Sequence, residues 1–219
     1  VPGWRAALVA ALLAFGAQAA PPSVTSADGR WRIVADGETL TVFDAAGRSV
    51  RTHVAAAADG SGRSAVAALF NVEPRRSFIV CFESLPELWE ISYDPDAEPI
   101  YQGLVHDYRL REGLAEPGFL NLRRTRLNAP LRDPGFDSSG AFVIGRAAGR
   151  VDGQTMLTLV QLDVRKPIAE FKVRGDPDTA ALRSLWRDGR EILEVPDRQG
   201  GPAWLIDPRS ARVLDRQPP

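Results

Sequence analysis

Apolar and polar positions alternate along this chain in short runs that stop at turn-forming residues, and the runs recur in groups of three. The first group follows Ala27-Asp28-Gly29 and comprises residues 31–35, 39–44 and 48–54. The second comprises 77–82, 87–94 and 99–105. The third follows Ser138-Ser139-Gly140 and comprises 141–145, 157–163 and 168–173, and the fourth follows Arg187-Asp188-Gly189 and comprises 191–195, 203–207 and 212–214. The alternation, as at Leu40 and Val42, has the period of strands, and β-branched and aromatic residues fill it. No helix is required anywhere.

The second run of each group closes on an aspartate, at positions 44, 94, 163 and 207. A short carboxylate there can accept from backbone N–H groups two residues on, so these four are expected to staple turns. Their spacings of 50, 69 and 44 residues give a unit of about 45–50 with an insertion of some twenty residues in the middle gap. Three visible strands and an innermost fourth, beginning near Ser23, Val66, Phe136 and Leu182, predict an all-β chain of four-stranded propeller blades. The blades are expected at about 23–55, 64–105, 132–174 and 178–217, with a loop insertion over 106–131. Four blades can close as a small ring, pair with a second copy as halves of an eight-bladed ring, or dock on a partner propeller.

Composition changes this picture little. The apolar share of 44%, charged share of 25% and net charge of -1 are those of an ordinary globular domain, without the basic excess that nucleic acid or anionic membrane would attract. Of the basic residues only Lys166 and Lys172 are lysines, so arginine clusters are common throughout and each carries less weight. Arg5, the apolar run from Ala6 to Phe15 and Ala17-Gln18-Ala19 read as a signal peptide over 1–19, cut before a soluble periplasmic domain over 20–219. The apolar run is about ten residues, short of the roughly 20 that span a bilayer, so no membrane span is expected after cleavage. The single cysteine, Cys81, sits within Phe78-Ile79-Val80-Cys81-Phe82 and reads as a small buried apolar residue.

The stretch Leu85-Pro86-Glu87-Leu88-Trp89-Glu90-Ile91-Ser92-Tyr93-Asp94, with Gly103-Leu104-Val105-His106-Asp107-Tyr108-Arg109, Glu116-Pro117-Gly118-Phe119-Leu120-Asn121 and Arg123-Arg124-Thr125, resembles the haem d1 propeller family. The likeness is to the NirF type of haem d1 biosynthesis protein and, more distantly, to the d1 domain of cytochrome-type nitrite reductase. It is dense over 66–145 and looser to about 207. The resemblance implies an eight-bladed propeller holding a tetrapyrrole at the top of its channel, with this sequence mapping onto the C-terminal half. It also places the two distal histidines of the nitrite reductases near Asp133-Pro134-Gly135 and Asp176-Pro177-Asp178, which have none, so nitrite reduction is not expected. Haem d1 or a precursor is the implied cofactor.

The insertion is then the candidate site, read as a connection from one blade's outer strand to the next blade's inner strand. A tetrapyrrole carries carboxylates that guanidinium forks grip, and Arg109, Arg111, Arg123, Arg124 and Arg126 supply forks. Arg109, Arg123 and Arg124 are the expected carboxylate partners. His106, backed by Asp107, is the expected contact to the macrocycle, as an axial ligand or a proton donor, while a solvated loop histidine is the plainer alternative. His53 is expected to be exposed at the end of an outer strand, and Glu116 to shape a Pro-Gly turn. No CxxCH haem-attachment site, phosphate-cradling glycine loop or zinc spacing occurs. A non-catalytic interaction scaffold with a degenerate pocket is the reading from a different class.

Overall fold

The computed structural model describes residues 21–101 and 115–217. These form four antiparallel sheets, each a meander of four strands in chain order. Sheet one holds β1 (Ser23–Thr25), β2 (Trp31–Asp36), β3 (Thr39–Asp44) and β4 (Ser49–Val54). Sheet two holds β5 (Val66–Val72), β6 (Ser77–Phe82), β7 (Glu87–Ser92) and β8 (Leu122–Arg126). Sheet three holds β9 (Leu131–Phe136), β10 (Phe142–Val151), β11 (Gln154–Gln161) and β12 (Lys166–Val173). Sheet four holds β13 (Arg183–Arg187), β14 (Arg190–Val195), β15 (Ala203–Asp207) and β16 (Arg212–Gln217). The expected four four-stranded sheets are present, and the described helical structure is two single 3₁₀ turns, Glu73–Arg75 and Thr179–Ala181.

Alternation along the strands builds the core as three slabs between successive sheets. Ile33, Ala35, Leu40 and Val42 of sheet one meet Phe78, Val80, Phe82, Trp89 and Ile91 of sheet two. The opposite face of sheet two sends Ile79, Cys81 and Leu88 against Leu131, Val143 and Val160 of sheet three. Ile144, Leu157 and Leu159 then meet Leu193, Val195, Trp204 and Ile206 of sheet four. Among the described residues no core cluster joins sheet four to sheet one. On β2 and β3 the positions alternating with the core are Arg32, Val34, Thr41 and Phe43, with the Arg32 guanidinium over the Phe43 ring at 5.3 Å.

Two strand placements differ from expectation. The outer strand of sheet two is Leu122–Arg126, after the insertion, whereas 99–105 contributes one described pairing, the isolated bridge of Ile100 with Glu116. The insertion therefore lies within blade two, between β7 and β8. The strand was hidden because Leu122-Arg123-Arg124-Thr125-Arg126 is an outer, mostly polar strand whose arginines read as loop. In blade three the inner strand starts at Leu131, ahead of the expected Phe136, because Asp133-Pro134 looks like a turn. It is a bulge instead: the register slips between Arg146↔Arg132 and Ile144↔Gly135. An inner strand is a sheet edge, where proline costs no ladder bond.

The closing aspartates staple turns in three of the four blades. Asp44 accepts from the N–H groups of Ala46 and Arg48, Asp94 from that of Asp96, and Asp207 from those of Arg209 and Ser210. Asp163 instead accepts from Arg75 of the neighbouring blade at 2.7 Å.

Candidate functional site

The insertion leaves β7 at the end of sheet two that also carries the β5–β6 turn, since the Tyr93 N–H donates to the Arg76 carbonyl at 2.9 Å. Connections from one blade to the next lie at the other end of the sheets, so the insertion opens on the face opposite to the expected one. Its neck is closed by two backbone bonds, Ile100 N–H to Glu116 O at 2.8 Å and Glu116 N–H to Ile100 O at 2.9 Å. A Cβ at Gly118 would land on the Glu98 carbonyl oxygen, which is why a Pro-Gly pair shapes the return. Leu120 then takes a left-handed conformation (φ 55°), and its carbonyl is bonded to His53 Nε2 at 3.0 Å. His53 is thus half-buried and ties blade one to the insertion, which corrects the expectation of an exposed side chain. Burial is the largest influence on its imidazole and holds its pKa below 6.5, with the Leu120 bond opposing.

His106, Arg109 and Arg111 lie outside the described residues. Arg123 and Arg124 are successive residues on β8 and point to opposite sides of the sheet. Arg123 donates from Nη2 to the Glu98 carbonyl at 2.6 Å and borders a cleft of about 900 Å³ with Arg75, Tyr101 and Asp163. Arg124 faces blade one. Its Nη1 donates to Glu87 Oε2 at 2.9 Å and to the Ala56 carbonyl at 2.7 Å, and its guanidinium lies 4.2 Å from the Trp89 ring. Glu87 also accepts from Trp89 Nε1 at 2.6 Å. The buried Glu87 and Trp89 and the half-buried Arg124 form a set that joins blades one and two.

Arg75, at 17% side-chain exposure, plays the same part between blades two and three through Glu90 at 3.0 Å and Asp163 at 2.7 Å. Burial opposes its charge, yet the two carboxylates outweigh that effect and raise its pKa.

A second constellation, not singled out as a site from the sequence, sits at the end of blades three and four where one blade connects to the next. Arg146 on β10 donates from Nη2 to Asp133 and from Nη1 to Asp176 at 3.1 Å. Arg198 Nη2 donates to Asp133 and to Asp178, both at 3.2 Å. The Thr179 hydroxyl donates to the Asp133 carbonyl. Asp133 holds a left-handed backbone (φ 47°), a strained state for a non-glycine residue, and the bulge aims it at the two arginines. Burial pushes its carboxyl pKa up, but the hydrogen bonds and charges of Arg146 and Arg198 together bring it below the usual carboxylate range. A cavity of about 420 Å³, lined by Arg132, Arg146, Ala147, Ala148, Gly149 and Thr155, opens beside this network. Asp-Pro occurs at 94, 133, 176 and 207, so nothing in the sequence set 133 and 176 apart as partners.

Cys81 is fully buried, and burial pushes its thiol up to about 12. Among the described residues no cluster of histidine, cysteine and acid side chains could hold a metal ion, and no helix is long and apolar enough to cross a membrane. A carboxylate-bearing macrocycle would find arginines here. Among the described residues His53 is the one histidine, and it is bonded to the Leu120 carbonyl.

No protein-family model matches the chain. A dihydro-heme d1 dehydrogenase of Pseudomonas aeruginosa is 26% identical over 192 residues, which is 86% of this chain and 34% of that protein. The chain thus spans about a third of the length of the curated relative it matches. The solved structure of dihydro-heme d1 dehydrogenase NirN in complex with DHE superposes with a TM-score of 0.65 at 24% identity, covering 88% of this chain and 36% of that one. Apo AztD from Citrobacter koseri gives 0.53 at 12% identity, over 90% of this chain and 46% of that one. The resemblance to haem d1 propeller proteins thus extends over most of the chain, with a dihydro-heme d1 dehydrogenase as the matched relative.

Proposed function

We propose that this chain handles a tetrapyrrole in the manner of the haem d1 maturation proteins, binding a d1-type haem or its precursor after export to the periplasm. The observation that carries the reading is the 192-residue likeness to a dihydro-heme d1 dehydrogenase, which runs through the insertion and its flanking strands. In this reading His106 approaches the macrocycle, and Arg109, Arg123 and Arg124 take its carboxylates. The cleft of about 900 Å³ that Arg123 borders is within the size range of ligand pockets. A ligand carboxylate reaching Arg124 would replace Glu87 as its partner, so Arg123 is the better placed of the two. The bound group would supply the redox chemistry of its ring and iron. The chain's own residues would fix its orientation through charge-assisted bonds and limit its contact with water. A second copy or a partner propeller would complete the ring around the channel.

Titration of the purified chain with haem d1, followed by absorption spectra of wild type, His106→Ala and Arg123→Ala, tests this. A spectral change in wild type that is altered in His106→Ala and weakened in Arg123→Ala is expected. No change in any of the three would end the ligand reading in favour of the second one. That alternative, a non-catalytic scaffold, draws on Asp133 and Asp176. Both stand near the places the resemblance assigns to distal histidines, and Arg146 engages both.

A further inference from the structure

The outer rim of blades two and three carries a groove of about 550 Å³ that the reading above does not use. Its floor is apolar: Ile100 is buried, Leu122 and Pro167 are half-buried, and Tyr101 and Val164 are 50% and 51% exposed. Two of the few large exposed apolar side chains of the described chain therefore meet in one place. Its walls are cationic, with Arg126, Arg165 and Lys166 all exposed, and among the described residues none of the three is in an ion pair and no carboxylate lines the groove. Arg124 also borders it, but its charge is answered by Glu87. Arg126 also acts through charge on Asp59, and the three exposed cations around an apolar floor complement a ligand that is anionic at its edge and apolar on its face.

We infer that this rim groove binds an organic polycarboxylate with a flat apolar body, the ring lying against Tyr101, Leu122, Val164 and Pro167 and its carboxylates reaching Arg126, Arg165 and Lys166. The ligand class follows from the groove's own lining, and the choice of a porphyrin as its flat body rests on the tetrapyrrole reading. The groove is separate from the cleft at Arg123: the two lie on either side of Ile100-Tyr101 and share Arg165. A macrocycle held at the rim would be in position to pass to or from that cleft.

The test uses metal-free deuteroporphyrin IX, which has two carboxylates and no iron for a histidine to ligate, with the full chain and fluorescence anisotropy as readout. Wild type and His106→Ala should bind it equally. The double charge reversal Arg126→Glu, Lys166→Glu should weaken it about tenfold or more, as should replacing the probe by its dimethyl ester or raising the salt. The reversed residues are exposed, so circular dichroism and melting temperature should not change. Equal binding by the reversed variant or by the ester would overturn the proposal, as would no binding by wild type. Loss of porphyrin binding in His106→Ala alone would place it at the insertion and retain only the broader reading. A changed oligomeric state in the reversed variant, with porphyrin affinity unaltered, would assign the groove to contacts between copies and overturn it too.

Discussion

Asp133 and Asp176, 43 residues apart and each followed by proline, are held by one guanidinium, that of Arg146. The bridge fastens an inner strand of blade three to the connection into blade four, and Arg198 reinforces it from the far side. Replacing Arg146 by alanine takes the guanidinium from Asp176 and leaves Asp133 with Arg198 alone. With side-chain exposures of 25% to 38% in the pairs, solvent screening limits the loss to about 1–2 kcal/mol, read as a lower midpoint in urea unfolding. Asp133→Asn should cost less, since the amide oxygen still accepts from Arg146. Asp133 has a lowered folded pKa, so its share of stability is present above its unfolded value and is lost as pH falls through the folded one.

His53 sets a different pH window. Its folded pKa lies below 6.5, so the unfolded chain takes up the proton first. Its contribution is intact above about pH 6.5 and declines as pH falls from there toward the folded value. Urea unfolding of wild type and His53→Gln between pH 7.5 and 5 checks this. The two should converge as pH falls, and parallel curves would remove His53 from the account.

Glu87 and Arg124 should behave as one unit. Arg124→Ala leaves the buried Glu87 without its cation and Glu87→Ala leaves the half-buried Arg124 without its anion, while the double variant removes both. A double-mutant cycle is expected to give a coupling of about 1–3 kcal/mol, and additive losses would contradict the closed arrangement around Trp89.

Cys81 should resist modification. With its thiol near 12 and no exposed surface, reaction with a thiol reagent at pH 8 should proceed only through unfolding and accelerate in denaturant. Rapid labelling of the native chain would mean that the slab between blades two and three opens readily.

The four-blade plan was legible because strands such as β2 and β3 alternate, as in Ile33-Val34-Ala35 and Leu40-Thr41-Val42, and β6, buried on both faces, is a short apolar run between turns. Strands without that alternation were not. β8 is an arginine-rich outer strand that faces its cross-strand partners with charge, and β9 is broken by a bulge at Asp133-Pro134. Misreading β8 moved the insertion out of its blade and onto the wrong end of the sheets. The Asp133, Arg146, Asp176 and Arg198 network was invisible for another reason. Its members come from four separate segments that only the packing of blade four on blade three brings together. The acidic turn positions show the limit within one repeat: Asp44 and Asp207 fold back on their own turns, whereas Asp163 reaches Arg75 because a neighbouring blade offers a cation.

The central claim is that the chain carries a d1-type macrocycle, and native mass spectrometry of the chain mixed with dihydro-haem d1 tests it most directly. A complex heavier than the protein by one macrocycle per chain, or per two chains if copies complete the ring, is the expected result. Protein detected only in its unbound mass, under conditions where a dihydro-heme d1 dehydrogenase loads fully, would contradict it.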